Sequence, residues 1–433
     1  MLRAMLPTSA PTDGRRPDDR CPGTVRLHPA ADGHVARVRV PGGRLRPPQL
    51  EVIVGAATEL GDASLHLTSR GNVQLRGLDG GSGQELADRL FAVGLLPSPA
   101  HDRVRNVVAS PWAGLDGRGL VDIETVVADL DTLVCAAPDL TELSGRFLFA
   151  VDDGRGDVLG LGPDLAVVGQ PAGDLRLWVG HRPTIRTASP AGAAGLLVEA
   201  ARSFLGVRAA TSPDAWRVAD LGAAADRVAP LDDASTAVAV DTSVAVDTSA
   251  AVDSPVAVDT SAATAFGLVG PHCGTWAVTV GLPLGRADAT TWQEIVELAS
   301  TSVLGPGVAP IRVTPWRTVV VAGLDRASAH DALARFRRAG LVTDRRSPLA
   351  GVSACVGRPG CASATSDVHV DAPHLARGHH QRPLHVSGCE RRCGHPGGAR
   401  AEAVASGEGR YVVRTHAPDD SVVTTHHEGA EPA

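Results

Sequence analysis

Residues 61–78 read GDASLHLTSRGNVQLRGL, and residues 307–324 read GVAPIRVTPWRTVVVAGL. The second stretch aligns with the first without a gap at an offset of 246 (307 − 61), and the match runs on to positions 96 and 342 with 11 identities in 36 aligned positions. Thr68/Thr314, Gly77/Gly323, Leu78/Leu324, Arg89/Arg335 and Gly94/Gly340 are among them. Average residue usage gives roughly three by chance, so the chain contains an internal duplication. In the first copy the alternation of Leu65, Leu67, Val73 and Leu75 predicts two short strands joined at Ser69-Arg70-Gly71. Ser82 and Glu85 then form a capping-box pattern, Leu86, Leu90 and Val93 an apolar helical stripe, and Gly94 a helix stop. Ser328, Asp331, Leu333, Phe336 and Gly340 repeat this arrangement in the second copy.

Upstream, Pro41-Gly42-Gly43-Arg44 is matched by Pro283-Leu284-Gly285-Arg286, each ahead of an apolar helical run, at 50–60 and 292–303. Each copy therefore reads strand, helix, strand, strand, helix: an α+β unit with its helices on one face of a small antiparallel sheet. Two such units predict a pseudo-twofold molecule. Between them, residues 238–261 are four tandem hexads, VAVDTS, VAVDTS, AAVDSP and VAVDTS, which read as a flexible insertion without chemistry.

Composition narrows the function. With 433 residues, 43% of them hydrophobic, the chain can build two to four domains with ordinary cores. A net charge of −7 and the lack of a basic run leave no footprint for nucleic acid. All 41 Lys+Arg residues are arginine. That excludes Schiff-base enzymes, P-loop NTPases and lysine-dependent kinases, which need the compact ammonium group. No apolar run reaches 18 residues and the N-terminus has no apolar signal core, so the expectation is a cytoplasmic protein without a membrane partner.

Of the seven cysteines, Cys21, Cys135 and Cys273 are scattered, while four gather as Cys355-x5-Cys361 and, after 27 residues, Cys389-x3-Cys393. Their surroundings are SACVGRPGC (353–361) and HVSGCERRCGHPG (385–397). Structural zinc favours shorter knuckles, so the spacing suits zinc poorly. Four thiolates among Gly/Pro-rich turns suit a [4Fe-4S] cluster, because backbone amides can approach the sulfurs there.

This pattern, the PGG turn, the T-x-R segment Thr68-Ser69-Arg70 and the duplicated halves together resemble the sirohaem nitrite/sulfite reductase superfamily, over about residues 25–415 without the 206–265 linker. The resemblance implies duplicated ferredoxin-like half-domains with nitrite/sulfite reductase-type α/β domains. It divides the chain into a disordered N-terminus (1–24), a first half-domain (25–97), a first α/β domain (98–205), the linker (206–265), a second half-domain (266–344) and a [4Fe-4S]-binding domain (345–433). It also implies that Cys355, Cys361, Cys389 and Cys393 hold the cluster. Arg37, Arg39, Arg70, Arg105 and Arg146, with Asn106, become candidates for binding an acidic tetrapyrrole, since the planar guanidinium suits a carboxylate.

The superfamily's reductases present two lysines, one residue apart, to the bound oxyanion; here the segment LSGRFLFAVDDG (143–154) has Arg146 and Leu148. Leucine donates no proton, and arginine is a poor general acid. GRFLFAVDDG, VGLPLGR (280–286), IRVTPWR (311–317) and HVSGC…CGHPG are instead similar to the precorrin-3B synthase branch. That branch implies an O2-dependent monooxygenase that converts precorrin-3A to precorrin-3B by meso-carbon hydroxylation and γ-lactone formation. Implied with it are a [4Fe-4S] cluster, a mononuclear non-haem iron and an electron donor that the sequence does not identify. The alternative is a sirohaem-dependent nitrite or sulfite reductase. His369, His374, His379, His380, His385 and His395 crowd the cysteine motif, with His395 the best candidate ligand, and Trp316 and Arg317 are candidates to line the cleft.

Overall fold

The computed structural model describes residues 21–230, 266–305, 307–378, 383–395, 400–417 and 421–429. Residues 1–20, the hexads at 238–261, and His379 and His380 lie outside the described residues. The first half-domain runs β1 (His28–Ala30), β2 (Gly33–Val38), β3 (Arg44–Leu45), α1 (Pro47–Leu60), β4 (Ser64–Leu67), β5 (Val73–Leu78) and α2 (Gly83–Ala92). The first α/β domain follows with β6 (Val107–Ala109), α3 (Glu124–Cys135), β7 (Phe149–Asp152), β8 (Leu165–Gly169), β9 (Leu175–Val179), β10 (Arg182–Ala188) and α4 (Pro190–Thr211). The second half-domain is β11 (Gly267–His272), β12 (Thr275–Gly281), β13 (Arg286–Asp288), α5 (Ala289–Ser300), β14 (Ile311–Val313), β15 (Thr318–Leu324) and α6 (Arg326–Arg338). The last domain is β16 (Val352–Ala354), α7 (Val368–Gly378), β17 (Leu384–Ser387), β18 (Arg400–Gly407), β19 (Arg410–His416) and β20 (Val422–Gly429).

The duplicated segments fold alike, and they exchange a strand. One sheet has the order β1-β2-β5-β4-β13 and its mate β11-β12-β15-β14-β3, so each half-domain completes the other's edge. Arg286 pairs with His66 across β13/β4, as Arg44 pairs with Arg312 across β3/β14. Gly77 and Gly323 sit at matching irregularities of these sheets with φ of +70° and +76°, a conformation natural only to glycine. A side chain on Gly323 would also run into Ser302 and Leu304. The two halves share one core, in which Leu50 and Ile53 of α1 meet Trp292 and Ile295 of α5, all four fully buried.

Helix ends follow the expectation at the C-terminal side and depart from it at the other. Gly94 and Gly340 close α2 and α6 with positive φ, and the next N–H in each case returns to the helix, Leu95 to Leu90 O and Leu341 to Phe336 O. Ser82 does not cap α2 with its side chain. Asp325, three residues before Ser328, caps α6 by accepting from the N–H groups of Ala327 and Ser328.

The two α/β domains also share a topology, β10-β9-β8-β7-β6 and β16-β17-β18-β19-β20, each with two parallel pairings followed by two antiparallel ones. Helices α3 and α4 cover one face of the first sheet. The segment after position 205 is not all linker: α4 continues to Thr211, and Val207, Ala215, Val218, Leu221 and Val228 are buried in the same core. Among the described residues no helix is long and apolar enough to cross a membrane.

Candidate functional site

The four cysteines of the C-terminal motif stand on two loops at the ends of parallel strands β16 and β17. Cys355 follows β16 and its N–H donates to Val386 O at 3.0 Å. The Gly388 N–H, just past β17, donates to Cys355 Sγ at 3.2 Å. Gly357 and Gly388 let the loops cross, since a Cβ on Gly388 would fall 2.7 Å from Ala364 Cβ and one on Gly357, at φ +65°, would fall 2.6 Å from Val368 Cγ2. Burial raises the Cys355 thiol, and Cys393 and Cys361 lie close enough to raise it further. Burial likewise raises Cys393, which also feels Cys389 and Cys361. Cys355 and Cys361 are thus within electrostatic reach of each other and of Cys393, and Cys393 of Cys389, although among the described residues no three His, Cys, Asp or Glu side chains meet at metal-ligating distance. Four thiols on crossing glycine turns, with an amide already directed at a sulfur, fit a [4Fe-4S] cluster.

An arginine from each half-domain reaches these loops. Arg76, held by Asp32 through two 2.8 Å bonds, donates to Gly360 O at 2.9 Å beside Cys361. Arg317 donates to Gly394 O at 3.0 Å beside Cys393, and burial lowers it to about 10. Beneath the second loop, fully buried His385 bridges Ser353 Oγ at 2.8 Å and Cys393 O at 3.2 Å. Burial, then Arg317, hold His385 neutral by lowering its pKa to about 3.

The corresponding place in the first α/β domain is filled by side chains. The residue after β6 is Ser110, where β16 is followed by Cys355. Ser110 Oγ donates to Asp157 at 2.7 Å, and Arg155 is gripped by Asp153 at 2.8 Å and Asp116 at 3.0 Å. Ion pairs occupy this half where thiols line the other.

A row of polar side chains crosses the outer face of the first half-domain sheet. Register pairs Arg286 with His66, His66 with Gln74 and Gln74 with Arg37, so these four share the face opposite the core. One end of the row nears Cys355 through His369, which feels both Arg286 and the Cys355 backbone. The other end opens on an arginine group. Arg37 reaches Gln74 at 3.5 Å and Cys21 Sγ at 3.9 Å, and Arg39, 1% exposed, reaches Asn106 Oδ1 at 3.4 Å and Gly145 O at 3.5 Å. Burial, then Arg217, Arg39 and Arg37, bring Arg70 to about 10 against a small opposing effect of Cys21, and among the described residues no carboxylate forms an ion pair with it. Burial and Arg39 bring Arg37 to the same value.

The other two candidates and Asn106 are placed differently. Arg105 is locked to Asp131 at 2.6 and 2.7 Å and to Leu95 O at 2.7 Å, so its fork is fully used. Asn106 is fully buried between Asn72, Arg39 and Phe147 O and positions Arg39. Arg146 is exposed and stacks over Trp216 at 4.6 Å. Leu148 is buried with Val108, Ala150 and Trp178, and Trp316 packs against that cluster. The position where the reductases carry the second lysine is thus apolar packing.

The same row in the second half-domain is closed. Arg312 donates to Pro111 O and Ala113 O at 2.8 and 2.7 Å and faces Glu124 at 3.4 Å, while Trp112, Leu115 and Trp316 cover Ala277, Val320 and Ala322. Of the two pseudo-symmetric faces, one carries polar and cationic side chains where the other is covered by apolar packing and ion pairs.

The family described as Nitrite/Sulfite reductase ferredoxin-like half domain matches residues 28–93. Across 92% of the chain the fold superimposes on 78% of the Mycobacterium tuberculosis NirA protein with a TM-score of 0.69 at 19% identity. Residues 28–93 thus carry a nitrite/sulfite reductase ferredoxin-like half domain, within a fold shared with NirA along nearly the whole chain. It is 26% identical to a precorrin-3B synthase of Sinorhizobium sp over 402 residues, which covers 91% of this chain and 82% of that protein. It is 38% identical to a ferredoxin–nitrite reductase of Synechococcus elongatus over 127 residues, but spans only about a quarter of that enzyme's length (25%).

Among the described residues a mononuclear iron finds no comparable donor set. Buried Glu402 stands 2.9 Å from His416 Nε2 and 3.9 Å from His395 Nδ1, yet Arg392 and Arg400 also face it at 3.7 and 3.6 Å. A carboxylate shared with two guanidinium groups is a poor partner for a metal cation. His395, the best single candidate in the sequence, belongs to this ion-pair network. Sequence reasoning missed Trp216 and Arg217, because they lie in the stretch read as linker. Its helical stripe, Leu196, Leu197, Phe204 and Val207, running past position 205, was the available signal.

Proposed function

We propose that the protein is a precorrin-3B synthase, an O2-dependent monooxygenase that takes precorrin-3A, hydroxylates a meso carbon and closes a γ-lactone. The observation that carries this reading is the arginine group Arg37, Arg39 and Arg70, which meets no carboxylate among the described residues and lies by the sheet face that leads to Cys355. Three strand spacings of about 4.8 Å separate the ends of the Arg286–Arg37 row, so a ligand touching both is of the order of 14 Å wide. That is the scale of a macrocycle with acid arms. The similarity to a precorrin-3B synthase over 91% of the chain supports the same substrate class.

Arg37, Arg39 and Arg70 bind and orient the acid arms by charge-assisted hydrogen bonds. Cys355, Cys361, Cys389 and Cys393 would hold the [4Fe-4S] cluster, which supplies single electrons when bound. Arg76 and Arg317 fix the two cysteine loops against the half-domains, and Leu148 and Trp316 keep the adjoining wall apolar and free of proton donors. Local similarity to the nitrite reductase favours the alternative of a sirohaem-dependent reductase, whereas Leu148 argues against it. Visible absorption of the purified protein separates the two. A synthase lacks sirohaem bands and consumes precorrin-3A in air; a protein that arrives with sirohaem and reduces sulfite or nitrite overturns the proposal.

A further inference from the structure

The segment after α4 brings a fourth guanidinium to the Arg37, Arg39 and Arg70 group. Arg217 uses one edge of its fork on the protein itself: Nε donates to both oxygens of Asp164, at 3.2 and 3.0 Å, and Nη2 donates to Gly162 O. Its Nη1 carries no hydrogen bond among the described residues. The guanidinium of Arg70 lies close enough that Arg217 is the strongest charge acting on it, and the side chain of Arg70 has no hydrogen-bond or ion-pair partner among the described residues. Beside them the Trp216 indole is covered by Arg146 at 4.6 Å, and the neighbouring Gly145 O accepts from Arg39. Three separate parts of the chain, the β4–β5 turn, the loop before β7 and the segment after α4, therefore bring their cationic side chains together here. Two guanidinium groups within electrostatic reach of each other repel, and an anion bound between them turns that repulsion into attraction. Asp164 fixes one of the two in place, so little side-chain freedom remains to be lost when the anion arrives.

We propose that Arg217 and Arg70 form a two-arginine clamp for one carboxylate arm of the ligand, with Trp216 as its side wall. The clamp rests on the tetrapyrrole reading given above and extends it to a residue outside the cysteine and T-x-R motifs. It makes residues 212–217 a determinant of which polycarboxylate macrocycles bind, because a ring lacking an acid arm at this corner leaves both guanidinium groups unpaired.

The test is a double-mutant cycle on the full chain, with uroporphyrin as an octacarboxylate probe and its octamethyl ester as the uncharged control, read by porphyrin fluorescence anisotropy. Arg70→Gln removes one jaw. Arg217→Lys keeps a cation against Asp164 while losing the second donor edge, and thermal melting of each variant verifies the fold. Each single variant is expected to weaken uroporphyrin binding about tenfold or more, and the double variant by clearly less than the product, since both act on one carboxylate. Trp216→Leu is expected to weaken binding several-fold with no change in melting. If Arg70→Gln weakens binding while Arg217→Lys binds as wild type, or if the two effects multiply, the clamp is overturned and the tetrapyrrole reading stands. If the wild-type chain binds uroporphyrin no better than its ester, the tetrapyrrole reading itself fails. Should Arg217→Lys not melt cooperatively, Trp216→Leu and the ester control decide in its place: unchanged affinity in Trp216→Leu overturns the clamp.

Discussion

Replacing Arg70 by glutamine should make the empty protein more stable and the ligand weaker, a pairing that a structural arginine would not give. In the folded chain burial, then Arg217, Arg39 and Arg37, hold the guanidinium at about 10 against an ordinary value of 12.5. At about 1.4 kcal/mol per pKa unit that is an upper bound of roughly 3 kcal/mol of unfavourable interaction. Arg70 is only partly buried, so solvent screening reduces it to about 1–2 kcal/mol. Arg70→Gln removes this cost of burying a charge beside other arginines, and at roughly 2–4 °C per kcal/mol the melting temperature rises by a few degrees. The same change removes a charge-assisted contact to the ligand worth about 1.5–3 kcal/mol. Affinity for an octacarboxylate porphyrin then falls by about one to two orders of magnitude. Differential scanning fluorimetry and fluorescence anisotropy read the two effects on one preparation. A melting temperature lowered by several degrees, with affinity unchanged, would refute the reasoning, because it would mean that Arg70 has a structural partner. Stability sacrificed at a binding site is a common trade in proteins.

Arg105 gives the opposite outcome. Arg105→Ala strands Asp131 and is expected to destabilise the fold by about 3–5 kcal/mol, measured by denaturant titration, with porphyrin affinity unchanged in whatever protein folds. Serine at Cys355, Cys361, Cys389 or Cys393 should abolish the iron and acid-labile sulfide that the wild-type chain takes up on anaerobic reconstitution, at about four of each per chain. Retention of both in all four variants would move the cluster elsewhere. Burial, then Arg286, Arg76 and His369, hold His66 at about 3, below its ordinary 6.5. The unfolded chain therefore takes up that proton first, so the contribution of His66 is fully present above about pH 6.5 and is lost as the pH falls toward 3, at up to about 1.4 kcal/mol per pH unit. His66→Gln should flatten that limb of the stability profile, and an unchanged profile would show the imidazole titrating normally.

The duplication and the cysteine pattern were legible because each rests on local rules: alternation, helical stripes, glycine stops and fixed spacing. Gly94 and Gly340 show this well, since positive φ at a helix end needs no tertiary information. The exchange of β3 and β13 was not legible. Arg44–Leu45 is too short to carry a periodic signal, and its partner lies in the other half of the chain. Arg37, Arg39 and Arg70 are marked in the sequence only by their place beside the PGG turn and in the T-x-R segment. Arg105 was not separable from them, because its partner Asp131 lies 26 residues away on α3 and nothing in an arginine's own neighbourhood names its counter-ion. Arg217 was hidden by a boundary drawn at 206, where the apolar stripe of α4 in fact continues. Leu148 stands out in the sequence because leucine donates no proton, and its burial among Val108, Ala150 and Trp178 makes a charged side chain costly there.

The most direct measurement is turnover of precorrin-3A under isotopically heavy dioxygen by the full chain carrying its reconstituted cluster, followed by mass spectrometry of the product. A synthase yields a product heavier by one oxygen atom drawn from the labelled gas, and Arg70→Gln with an intact cluster yields far less of it at limiting substrate. Unlabelled precorrin-3A recovered unchanged from the fully reconstituted wild-type chain supplied with a chemical reductant would contradict the assignment.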